Sequence, residues 1–261
     1  MIRRVAAGDP CLNPYAHVGD PEWLRREGLF VAEGRLVVER LLGIPRFPVV
    51  SVLVTPAALE ALGAELSRAA VDVCVCDQAA LNEITGFNFH RGCLALARRP
   101  SDRPYPDLLD ARRLLVLEAV GNPDNVGGLF RTAAAFGVDA VLLDPATADP
   151  LYRKAIRTSM AATLRLPFAR LDEWPGLLQQ FRSRGVRLVA LTPRADATPI
   201  AEFAATLRPG HRLMLLVGAE GRGLSDEVLA VADARVRIPM DAATDSLNVT
   251  VAAGIALDRL R

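Results

Sequence analysis

A chain of 261 residues, 51% hydrophobic and 23% charged, is long enough for one large domain or two ordinary ones and has the profile of a soluble globular protein. No run approaches the roughly 20 unbroken apolar residues needed to cross a bilayer, which excludes a membrane-spanning helix. A net charge of +1 gives no global electrostatic case for a nucleic-acid partner.

The chain opens with MIRRVAAGDP, which breaks at Asp9-Pro10 before an apolar segment develops. It does not read as a signal peptide, and a cytoplasmic protein is expected. Leu36, Val37, Arg40 and Leu41 recur at helical spacing after Gly34. VVSVLV (49–54) and VDVCVC (71–76) read as strands, PAALEALGAELSRAA as the helix between them, and GCLALA (92–97) as a closing strand. Cys74 and Cys76 would share one face of their strand. Neither their spacing nor their neighbours suggest zinc, so the four cysteines are expected to be plain buried thiols.

RRPSDRPYPDLLDARR, with three prolines and mixed charges between apolar strands, marks a linker. The expected division is a small α/β domain over 1–99, a linker over 100–112 and a second domain over 113–261. Beyond the linker, LLVLEAV (114–120), VDAVLL (138–143), VRLVAL (186–191), RLMLLVG (212–218) and RVRIP (235–239) are strands. Helices are expected over Val126–Phe136, over 152–162, in WPGLLQQFRSRG up to Gly185, and over 246–260. Strand and helix in turn, with short connections, imply an α/β fold with a mostly parallel sheet covered on both faces.

Such sheets bind ligands beyond the carboxyl ends of their strands. Three loops stand out there. In GNPDNVGGLFR (121–131), Asn125 is placed to cap the helix it opens, and Gly127 and Gly128 bare its first turn. Arg131, four residues beyond Gly127, can reach over that bare surface. Read alone, the segment is equally a cap, a tight turn and a solvated arginine. VGAEGRGLSDEVL (217–229) sets Glu220 among glycines; it is either a tight turn or a carboxylate that accepts from a ligand or fixes Arg131. In RIPMDAATDSLNVTVAAGIALDRL (237–260), Ser246 and Asn248 begin a helix of small apolar residues suited to close packing.

NVGGLFR, LVGAEGRGLS and IPMDAATDSLNVTVAAGIAL together, in this order and spacing, resemble the three signatures of the SpoU (TrmH-like) RNA 2′-O-ribose methyltransferases of the SPOUT class. The resemblance covers about residues 112–261. More weakly, FVAEGRLVVERLL (30–42) and HRGCLALA (90–97) resemble the small amino-terminal RNA-binding domain of rRNA-modifying members. The resemblance implies a carboxy-terminal trefoil knot, a homodimer and S-adenosyl-L-methionine as cofactor. It implies cofactor contacts at Gly218, Ile238 and Leu247, with Thr192, Met240 and Ser246 nearby. It implies an active-site set of Asn125, Arg131, Glu220, Ser246 and Asn248, with no metal. Two positions depart from the family pattern, which usually has glycine where Ala242 stands and serine where Thr250 stands.

A ribose hydroxyl is a poor nucleophile near neutral pH, and the usual base would be histidine. The only histidines, His17, His90 and His211, lie outside the three motifs. Arg131 is then left to act on the hydroxyl, as a charged group that stabilises the developing alkoxide or, less in keeping with its chemistry, as a neutral base. Arg153, Lys154 and Arg157 form a basic cluster, read either as a phosphate grip or as a solvated helix face. Of the 31 basic residues only Lys154 is lysine, which reflects either codon bias or a preference for bidentate phosphate partners. The expected substrate is RNA, ribosomal before transfer. Two rivals are a non-catalytic RNA-binding protein of the same fold and a nicotinamide-dependent oxidoreductase; the latter is disfavoured by the absence of GxGxxG.

Overall fold

The chain forms two compact units, Met1–Ser101 with Leu151–Arg165 and Asp102–Pro150 with Leu166–Arg261, each with an apolar core. The computed structural model describes all residues except Ala7, Phe87, Ala242, Ala243 and Asp245, so the departure noted at Ala242 lies outside the described residues.

The first unit begins with β1 (Ile2–Arg4), a 3-10 turn (Pro10–Leu12), α1 (Asn13–Ala16) and α2 (Pro21–Arg26). β2 (Leu29–Glu33), α3 (Arg35–Leu42), β3 (Val49–Val54), α4 (Pro56–Ala69), β4 (Asp72–Val75), α5 (Gln78–Thr85) and β5 (Cys93–Arg98) follow. The sheet runs β1-β4-β3-β5-β2, with β5 antiparallel to both β3 and β2 and the other pairs parallel. Its core packs Tyr15, Leu53, Cys74, Cys76 and Leu94 together. Burial pushes the Cys76 thiol up to about 11 and that of Cys93 up to about 12, as apolar surroundings disfavour a thiolate. Cys11 is only half-buried, with its Sγ 2.9 Å from that of Cys74.

The second unit starts with β6 (Arg113–Glu118), α6 (Pro123–Ala135) and β7 (Ala140–Leu143). The chain then contributes α7 (Arg153–Thr158) and α8 (Ala162–Arg165) to the first unit. The reason is electrostatic. Glu33, buried at the end of β2, accepts from Arg153 Nη1 at 2.9 Å and Arg157 Nη1 at 3.2 Å, with Arg91 Nε at 3.3 Å. A buried carboxylate needs such partners, so Arg153 and Arg157 are committed to it and do not form a solvated face. The expected helix over 152–162 is also two pieces, broken where Met160 and Ala161 take left-handed φ values of 52° and 64°.

β8 (Phe168–Arg170), α9 (Leu178–Ser183), β9 (Val186–Leu191), β10 (Thr198–Pro199), α10 (Ile200–Ala204), β11 (Arg212–Gly218), α11 (Asp226–Val231), β12 (Ala234–Arg237) and α12 (Val249–Arg259) complete the second unit. Its seven-stranded sheet, β10-β12-β9-β11-β6-β7-β8, is parallel throughout. Leu114, Val116, Leu188, Met214 and Leu216 pack one face against Phe181 of α9. α12 packs against α6 so closely that a Cβ at Gly128 would lie 2.8 Å from Thr250 Oγ1. The threonine that departs from the family pattern therefore fills the space that glycine leaves. Among the described residues, no helix is long and apolar enough to cross a membrane.

Candidate active site

The carboxyl ends of β6, β9, β11 and β12 carry the loops that build the site. After β6 the chain turns through Ala119, at φ 54°, and enters α6. The helix is capped by Asn122, whose side chain accepts from Asp124 N at 2.9 Å, with Pro123 in the first turn. This corrects the expected cap at Asn125. That residue sits inside the first turn, 8% exposed, and turns its side chain to another element.

That element is the start of α12. Asn248 Oδ1 accepts from Thr250 N at 2.9 Å and so caps the helix. With its carbonyl facing an N–H, the amide must present its NH2 the other way. Nδ2 donates to Asn125 Oδ1 at 3.1 Å and to Glu220 Oε1 at 2.9 Å. One side chain thus joins all three motif loops, and Glu220 is engaged by Asn248 where Arg131 was one expected partner.

The loop after β11 is shaped by a lack of space. A Cβ on Gly218 would lie 2.2 Å from the carbonyl carbon of Gly223, so no side chain fits there. Gly221 and Gly223 take φ values of 84° and 69°, where glycine is favoured, and Gly223 N donates back to Ala219 O at 2.9 Å. Ser225 then caps α11, and Glu118 fixes it: Oε2 accepts from Ser225 N at 2.8 Å and Oε1 from Ser225 Oγ at 2.7 Å. Trp174 Nε1 also donates to Glu118 Oε1, at 2.9 Å. Glu118 is 6% exposed and stands opposite Gly218 in the β6–β11 register. Sequence reasoning missed it. The one available signal was a glutamate ending an otherwise apolar strand.

These loops enclose a cavity of about 710 Å³. Thr192, Gly218, Ile238, Met240, Ser246 and Leu247 all line it, as do Glu220 and Asn248. Thr192 is buried, and its amide donates to Val236 O at 2.9 Å, which ties the end of β9 to β12. Asn125 stands behind the wall, reached through Asn248. Arg131 is not brought to the cavity: it is exposed on α6, three residues beyond Gly128, and makes no ion pair among the described residues. Among the described residues, no group of three or more His, Cys, Asp or Glu side chains is placed to hold a metal ion.

Comparison with known proteins points one way. The model of the SpoU rRNA Methylase family matches residues 112–258. An uncharacterized tRNA/rRNA methyltransferase of Mycobacterium bovis is 40% identical over 260 residues, which span 95% of this chain and 87% of that one. The crystal structure of an AdoMet-bound rRNA methyltransferase from Sinorhizobium meliloti has a TM-score of 0.82 at 24% identity, covering 100% of this chain and 97% of the other. The crystal structure of an RNA 2′-O ribose methyltransferase has a TM-score of 0.79 at 29% identity, covering 100% and 98%.

Proposed function

The chain belongs to the SpoU family, and from that premise we propose that it transfers a methyl group from S-adenosyl-L-methionine to a ribose 2′-hydroxyl of RNA. The observation that carries this reading is the meeting of Asn125, Glu220 and Asn248, from three separate motifs, beside one cavity. The ribose 2′-oxygen as acceptor is supported by the likeness to an RNA 2′-O ribose methyltransferase. Ribosomal RNA as substrate is supported by the family's own description. Transfer RNA is the second reading, favoured by the relative described as a tRNA/rRNA methyltransferase.

The cavity suits the cofactor. Its volume falls within the ~300–1,000 Å³ of small-molecule sites. Its wall includes the strand end at Gly218, where no side chain fits. When bound, the cofactor supplies a methyl group activated by a cationic sulfur. Gly218, Ile238 and Leu247 would hold it through backbone groups, with Thr192, Met240 and Ser246 beside them. Asn248 keeps Glu220 and Asn125 in fixed orientation at the reacting edge. Arg131, exposed on α6 outside the cavity, would stabilise negative charge on the ribose oxygen only where the bound RNA brings that oxygen against it, the hydroxyl proton passing to solvent.

The same reading includes a homodimer and a carboxy-terminal trefoil knot. The dimer is supported by Val251 and Ile255, 51% and 37% exposed on α12, which leave an apolar strip for a second copy to cover. The knot rests on family membership.

Calorimetric titration tests the cofactor assignment. S-adenosylhomocysteine should bind and NAD should not. Binding of neither would favour a non-catalytic RNA-binding protein, and binding of NAD alone would favour an oxidoreductase.

A further inference from the structure

Among the described residues, three charged side chains line the cavity, and two of them are engaged. Glu220 accepts from Asn248 at 2.9 Å, and Arg194 Nη2 reaches Asp226 Oδ1 at 2.6 Å. The third, Arg222, makes no hydrogen bond or ion pair among the described residues and is exposed.

Its backbone is fixed on both sides. Gly221 and Gly223 flank it in left-handed conformation, and the turn closes through Gly223 N to Ala219 O at 2.9 Å. On one side Gly218 lies against Gly223 with no room for a methyl group; on the other Ser225 is clamped by Glu118. These contacts hold the backbone of Arg222 in the wall of the cavity. The same cavity is also lined by apolar Val217, Leu224, Ile238 and Leu247.

The charge balance of the proposed reaction identifies the missing partner. Among the described lining residues the one carboxylate, Glu220, is engaged by Asn248, and Arg194 already has Asp226, so an anion for Arg222 has to come with a substrate. RNA brings phosphates, whose geometry suits the planar fork of arginine. We propose that Arg222 binds a backbone phosphate of the RNA at the mouth of the cavity, near the ribose to be methylated. This rests on the reading of the chain as an RNA methyltransferase. The cofactor's own carboxylate is the other anion within the same chemistry, and the experiment separates the two.

Arg222→Ala and Arg222→Lys in the full-length protein are compared with wild type on an unmethylated 23S ribosomal RNA transcript, over a range of salt. KM for RNA should rise about tenfold in Arg222→Ala. The slope of log affinity against log salt should become shallower by about 0.7–0.9, the loss of one phosphate contact. Affinity for S-adenosylhomocysteine should stay within about twofold, and Arg222→Lys should keep most of the salt slope. Unchanged KM and salt slope in Arg222→Ala would overturn the proposal, and so would a loss confined to S-adenosylhomocysteine binding, which would assign Arg222 to the cofactor. Wild-type protein that transfers no methyl group to this transcript or to transfer RNA would instead overturn the underlying reading.

Discussion

Glu118 and Ser225 stand 107 residues apart in sequence and are joined by both oxygens of one carboxylate, at 2.7 and 2.8 Å. This pair sets the start of α11 and, through it, the loop that returns to Gly218. Glu118→Ala leaves Ser225 N and Trp174 Nε1 without their acceptor and should destabilise the second unit by about 2–4 kcal/mol. Glu118→Gln should lose less, because its amide keeps one acceptor but turns a donor toward other donors. Trp174 fluorescence during urea unfolding, in a Trp23→Phe background, reads that unit separately. A loss below about 0.5 kcal/mol in Glu118→Ala would show that the carboxylate does not hold the loop.

Asn248 has two separable duties. Asn248→Asp keeps the acceptor that caps α12 but cannot donate to Asn125 or Glu220, and it sets a second carboxylate beside Glu220. Asn248→Ala loses both duties. Only Asn248→Ala should cost the full helix cap, about 1 kcal/mol. Both should slow methyl transfer, by about 10- to 100-fold. Wild-type turnover in Asn248→Asp would make the three-residue network dispensable.

Gly128 and Thr250 are expected to be coupled. A methyl group at position 128 would meet both Oγ1 and Cγ2 of Thr250, at 2.8 and 2.9 Å. Gly128→Ala should cost about 1–3 kcal/mol through overpacking. Adding Thr250→Ala removes the obstacle and should restore most of the loss, a coupling of about 1 kcal/mol or more. Strictly additive losses in thermal unfolding would contradict the close packing of α6 on α12.

Arg131→Ala tests a proposed active-site residue that lies outside the cavity. If the guanidinium stabilises the charged ribose oxygen, single-turnover transfer should fall about 100- to 1000-fold while S-adenosylhomocysteine affinity is spared. Arg131→Lys should fail nearly as badly, because an ammonium cannot reproduce a planar contact. Near-normal turnover in a folded Arg131→Ala protein would remove this residue from the mechanism.

The parallel sheet was legible because its central strands are buried on both faces and read as unbroken apolar runs such as LLVLE and LMLLV. The motif loops were legible from their glycines and from the asparagine before VTVAAGIAL. β1 was not, because all three of its residues are exposed and only pairing with β4 makes it a strand. The cap of α6 was misread between two asparagines, although Pro123 favours the residue before it. The return of α7 and α8 to the first unit depends on Glu33, more than a hundred residues away, and no local pattern reports such a partner. Glu118 was missed for the same reason.

The position of the transferred methyl group tests the central claim most directly. Ribosomal and transfer RNA would be incubated with the protein and methyl-labelled S-adenosyl-L-methionine, then digested to nucleosides and separated. The label should appear in a 2′-O-methylnucleoside, and the modified linkage should resist alkaline cleavage because its 2′-oxygen can no longer attack the phosphate. Label in a base-methylated nucleoside, with the linkage still cleaved by alkali, would contradict the account.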